Sequence, residues 1–159
     1  MGSQFNIRRA YIAGFLDGDG SLMLQVKGRN DTKYGARFMA TICFYQDARH
    51  EEYLHWIRKI LKIGYISHRK DGITELRING FNRVKKVLTE LKPFIRFKAK
   101  QAQTLIQACA LLESKKMSKL SNTELRKIVK FVFIIRYENY KSGSTLTKDA
   151  LLKRLGLTP

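Results

Sequence analysis

Ile12-Ala13-Gly14-Phe15-Leu16-Asp17-Gly18-Asp19-Gly20 ends one run of helical periodicity and opens a run of strand alternation. Upstream, residues 6 to 19 read as a helix with Asn6 as a cap and Ile12, Phe15 and Leu16 on one large apolar face. The other face is small: Ala10, Gly14 and Gly18 fall at i, i+4 and i+8, with Ala13 beside them. Downstream, from Ser21 to Arg29, Leu22, Leu24 and Val26 alternate with Ser21, Met23, Gln25, Lys27 and Arg29, the pattern of a half-buried strand. Asp17 and Asp19 therefore sit at the C-terminal pole of a helix, where the macrodipole favours cations, in a chain otherwise short of acids. Carboxylates there need a compensating cation, or else Gly20 merely stops the helix and both aspartates are solvated turn residues. An EF-hand loop is excluded because Leu22 stands where its glycine belongs, and a dinucleotide fingerprint fails at Met23.

Working outward, Asn30 to Gly35 supplies turn chemistry, and the return strand alternates Phe38, Ala40, Ile42 and Phe44 with Arg37, Met39, Thr41, Cys43 and Tyr45. Asp47 can cap a helix to about Ile63, with Leu54, Ile57 and Leu61 as its stripe. A second hairpin pairs Tyr65 to Lys70 with Ile73 to Asn79 across Asp71-Gly72, a type I′ signal. Val84, Val87, Leu88 and Leu91 mark a further helix that Pro93 stops, which completes an αββαββα order. Helical patterning continues through Ala102 to Leu112, resumes after a capping box at Ser121 and Glu124, and ends in a short helix over Thr147 to Leu155. The expected class is α+β: one domain over residues 1–159, its core about 6–112 and a C-terminal helical extension about 113–159.

The 159 residues carry 31 Lys plus Arg against 13 Asp plus Glu, a formal net charge of +18. That exceeds the magnitude of about 2 to 8 that keeps a small domain soluble, and the basic residues are spread over the whole chain. A polyanion is the expected partner, nucleic acid before an anionic membrane, since no helix joins a fully basic face to a continuous apolar one. Cys43 and Cys109 lie in no CxxC pair and beside no histidine, and read as buried reduced thiols. Met1-Gly2-Ser3-Gln4 lacks a secretion pattern, and the apolar run Phe131 to Ile135 is too short to span a bilayer. A soluble intracellular protein is expected, in an organelle or in microbial cytoplasm; the glycosylation sequon Asn30-Asp31-Thr32 then has no consequence.

The stretch Ile12 to Gly20 resembles the LAGLIDADG motif of homing endonucleases, at both glycine-aspartate positions and at the small and apolar ones, and the αββαββα order is that family's order. The resemblance is strongest over residues 6 to 112. It implies a DNA endonuclease whose motif helix packs through its small face, Ala10, Ala13, Gly14 and Gly18, against a second copy. With one motif per chain, a homodimer and a long, near-palindromic duplex site follow. Asp19, with the Gly18 carbonyl, is implied to hold Mg²⁺, which Mn²⁺ or Ca²⁺ could replace. Gln46 corresponds to a polar residue that positions water or metal-bound solvent, and Lys98 to a basic residue near the scissile phosphate, while Asp17 is expected to do structural work. The family's active-site arginine falls between Arg49 and His50. The outward residues of both hairpins, Ser21, Gln25, Lys27, Arg29, Arg37, Thr41, Ser67, Arg69, Glu75 and Arg77, form the expected major-groove reading surface. An RNA-binding intron maturase and a catalytically inactive DNA-binding regulator are the alternatives within the same fold.

Overall fold

The computed structural model describes residues 2–139 and 143–159. Six helices and four strands follow in the order α1 (Gly2–Asp19), β1 (Gly20–Gly28), β2 (Ala36–Asp47), α2 (Glu52–Leu61), β3 (Tyr65–His68), β4 (Ile73–Asn79), α3 (Phe81–Leu91), α4 (Ala99–Ser114), α5 (Asn122–Glu138) and α6 (Lys148–Arg154). The strands make one antiparallel sheet ordered β1-β2-β4-β3. Gly20 pairs with Phe44 and Gly28 with Ala36, then Thr41 with Asn79 and Asp47 with Ile73, then Tyr65 with Arg77.

Period-two patterning explains which way the sheet faces. Leu22, Leu24, Phe38, Ala40, Ile42, Phe44, Leu76 and Ile78 are buried on the inner face and share one hydrophobic core with Ile12 and Leu16 of α1, Leu88 of α3, Leu105 of α4, Ile128 of α5 and Leu151 of α6. Each buried Leu, Ile or Phe of this set contributes about 1.5–3 kcal/mol by leaving water, so the C-terminal helices are bound to the same core as the hairpins. Gly20 marks the sharp passage from α1 into β1: a Cβ there would lie 2.5 Å from Leu16 Cδ1 and 2.9 Å from the Leu16 Cα. No larger residue fits. Among the described residues no helix is long and apolar enough to cross a membrane.

Three local expectations need correction. The first helix starts at Gly2, not near Asn6, because Phe5 lies under the Arg9 guanidinium, 3.1 Å from the ring centroid. Arg9 in turn bonds Glu90 of α3 at 2.6 Å, which docks the added turn. Asp47 caps a 3-10 turn, Ala48–His50, by accepting from Arg49 N, and α2 begins only at Glu52. The second hairpin is not type I′. Among the described residues Lys62 is the one non-glycine with positive φ, so Asp71 does not adopt it. Arg69 N reaches Ile73 O at 2.8 Å across a three-residue loop, with Gly72 at φ 81° taking the left-handed position.

Candidate active site and nucleic-acid interface

The last turn of α1 divides its two aspartates by burial. Asp17 is 8% exposed and accepts from three successive backbone N–H groups at the start of α4: Arg96 at 2.6 Å, Phe97 at 3.3 Å and Lys98 at 2.9 Å. Its carboxylate therefore caps another helix, a structural task. Asp19 is exposed and makes no side-chain hydrogen bond or ion pair among the described residues. The free carboxylate is the one that points to solvent.

Lys98 is brought to the same place by the Asp17 cap. Its Nζ donates to the Asp17 carbonyl at 2.5 Å. Burial lowers the ammonium below the ordinary lysine value, while the charges of Asp17 and Asp19 oppose that shift. Gly18 and Lys98 line an open cleft of about 700 Å³ together with Asp17, Phe97, Gln101 and Tyr137. Gln46 is not part of this cleft. It sits two residues past Phe44, the partner of Gly20, and so lies at the Asp19 end of the sheet, where its Oε1 accepts from Asp47 N at 2.9 Å. Arg49 forks Asp47 at 2.9 and 3.0 Å, and His50 is exposed.

No group of three or more His, Cys, Asp or Glu side chains able to hold a metal occurs among the described residues. One chain supplies the exposed Asp19 carboxylate and the Gly18 carbonyl, hard oxygen donors suited to a hard divalent cation but too few to enclose it. The small face of α1 is split in the same way. A Cβ on Gly14 or Gly18 would meet nothing within 4 Å, and Ala10 is half-buried. Ala13 must be withdrawn from the expected helix contact, because its side chain is fully buried in the core of its own chain. The exposed stripe is instead Ile7, Tyr11, Gly14 and Gly18, at i, i+4, i+7 and i+11. Tyr11, 65% exposed, meets Trp56 edge-on at 5.6 Å, and Phe97, beside Gly18, is 87% exposed. Sequence periodicity contained the Tyr11 position, but nothing local placed Phe97 next to Gly18.

On the outward sheet face Lys27, Arg29, Arg37 and Arg69 are exposed, and Ser21, Gln25, Ser67 and Arg77 are half-buried. Arg29 is forked by Asp31 at 2.5 and 2.9 Å. Two expected readers are corrected. Thr41 is fully buried and donates to Asn79 Oδ1 at 2.8 Å, and Asn79 donates to the Tyr65 hydroxyl at 3.0 Å. Glu75 is buried between Arg69 and Arg77, so it cannot reach a base edge. Both lie on central strands, where neighbours on either side cover them. Asn79, which continues the alternation of Glu75 and Arg77, belongs to the same outward face. Cys43 on the same face is covered too, its thiol pushed up to about 11 by burial, and Cys109 in α4 is pushed up to about 12.

This architecture has known counterparts. The LAGLIDADG endonuclease family profile matches residues 12–109. DNA endonuclease I-CvuI of Chlorella vulgaris is 33% identical over 112 residues, covering 69% of this chain and 68% of that protein. DNA endonuclease I-CreI of Chlamydomonas reinhardtii is 29% identical over 108 residues, 68% of this chain and 66% of its own length. The crystal structure of I-CvuI with its target in 2 mM Ca superposes with a TM-score of 0.87 over 98% of this chain and 99% of that one, at 23% identity. With the motif at the end of α1, the hairpin sheet beside it and a family match across more than half its length, this chain belongs to the LAGLIDADG endonuclease family.

Proposed function

We propose that this endonuclease works as a homodimer that recognises a long, near-palindromic DNA duplex and cuts both strands with a divalent metal, Mg²⁺ first. One observation carries the reading: the uncovered stripe of α1 ends beside Asp19, whose exposed carboxylate makes no side-chain bond among the described residues. Two such stripes can approach closely at Gly14 and Gly18, and a twofold axis along them brings one Asp19 to the other. Ile7, Tyr11 and Phe97 are large exposed apolar groups around the same face, which a second copy would cover.

Asp19 and the Gly18 carbonyl from each protomer would hold the metal, which supplies a Lewis acid and a lowered pKa for its water. The chain's own residues prepare the rest. Lys98, fixed through the Asp17 carbonyl, holds a positive charge near the cleft where the anionic phosphate enters. Gln46 stands at the sheet end with its Nε2 free to orient solvent. Lys27, Arg37 and the other exposed basic groups bind phosphates, and Arg29 and Arg69 face base edges.

The test is purified full-length chain, Mg²⁺ and a randomised duplex library. Both strands of a selected site should be cut, leaving 3′ overhangs. Asp19→Asn should keep DNA binding and lower the cleavage rate at least about 100-fold. Full cleavage by that variant would reject Asp19 as the metal ligand. Tight RNA binding with no DNA cleavage would point to intron maturation instead.

A further inference from the structure

Glu75 stands at the centre of the outward face, in register with Tyr45 of β2 and Ser67 of β3. Its side chain is only 8% exposed, and its two oxygens serve two guanidiniums. Oε2 accepts from Arg77 Nη1 at 2.7 Å, and Oε1 lies 3.5 Å from Arg69 Nη1. The other edge of Arg69 is forked by Asp71, at 3.1 and 2.5 Å. These two arginines and two acids sum to zero charge, in a chain whose net charge is +18.

That neutrality separates two uses of arginine. A phosphate contact gains its affinity from net positive charge and counterion release, so a partner carboxylate weakens it. A guanine contact needs a planar fork presented at a fixed angle, and a carboxylate behind the fork provides the angle. Beside this cluster, Thr41, Asn79 and Tyr65 form a second chain of hydrogen bonds on the same face. The centre of the sheet is thus set before any ligand arrives.

We propose that Glu75 is a positioning residue that holds the Arg77 and Arg69 guanidiniums as preset readers of guanine edges. Base choice at those positions then depends on a side chain that never touches DNA. The inference rests on the chain being a sequence-specific DNA endonuclease.

The test selects duplexes from a randomised library by binding in Ca²⁺, using full-length wild type, Glu75→Gln, Arg77→Ala and Arg69→Ala, each checked by thermal melting. Wild type should prefer guanine by about tenfold or more at the positions that the two arginine variants erase. Glu75→Gln should flatten the same positions to within about threefold, leave the others unchanged, and bind unselected duplex more tightly because each protomer gains one positive charge. A Glu75→Gln profile with guanine preference intact and affinity lowered evenly at every position would overturn the proposal, leaving Glu75 a mere brace. Should Glu75→Gln fail to fold, Arg77→Lys decides: it keeps the charge but lacks the fork, so guanine preference at its position must fall, and its retention overturns the proposal. Enrichment of no sequence by wild type would overturn the DNA reading itself, and that failure shows in the wild type, not in the variant.

Discussion

The Lys98 ammonium donates to the main-chain carbonyl of Asp17 at 2.5 Å, while the Asp17 carboxylate accepts from the Lys98 amide at 2.9 Å. The two residues are held twice, across a separation of 81 positions in the chain. The end of α1 and the start of α4 therefore move as one piece, and Lys98 cannot leave the cleft unless Asp17 lets go.

Removing the cap should loosen both elements. Asp17→Ala leaves three N–H groups of Arg96, Phe97 and Lys98 without their acceptor, a loss of about 1.5–3 kcal/mol for hydrogen bonds to a charged group. Urea denaturation should show that decrease, and cleavage should fall with it because Lys98 loses its seat. Unchanged stability would show that water replaces the cap.

Lys98 should give cleavage an early alkaline limit. Burial places its folded value below the ordinary 10.5, so the ammonium is lost at lower pH than in a free lysine. The pH profile should decline there, and Lys98→Arg, which stays charged, should abolish the decline. Stability runs the other way. Between the lowered folded value and 10.5 the unfolded chain binds more protons, so this residue makes the fold more stable as pH rises through that window. A profile identical in wild type and Lys98→Arg would remove Lys98 from the reaction.

Gly14 offers a clean test of assembly. No atom lies within 4 Å of a Cβ built there, and leaving glycine improves helix propensity by about 0.5–1 kcal/mol. Gly14→Leu should therefore melt no lower as a chain, yet sediment as a monomer and lose cleavage. A dimer that survives this substitution would place the twofold contact elsewhere.

Both thiols should be inert in the native state. Cys43 and Cys109 are buried and pushed up to about 11 and about 12, so neither presents thiolate near neutral pH. Iodoacetamide at pH 8 should label neither until denaturant is added, and labelling then should account for two sites per chain. Native labelling of Cys43 would mean that the sheet centre opens.

The sequence by itself determined the elements that depend on near neighbours. The turn of period at Gly20, the alternation in both hairpins and the capping box at Ser121 and Glu124 all follow from residues a few positions apart, and the structure shows each of them. Only the tertiary structure decided what covers what. Alternation assigns Thr41 and Glu75 to the outward side, but the order β1-β2-β4-β3 sets Asn79, Tyr65, Arg69 and Arg77 around them and takes both out of reach. Helical spacing puts Ala13 near the small stripe, but the core closes over it. The physical reason is the range of the interaction: periodicity is written in steps of two to four residues, whereas burial and hydrogen-bond partners are set by segments tens of residues apart that pack together only in the folded chain.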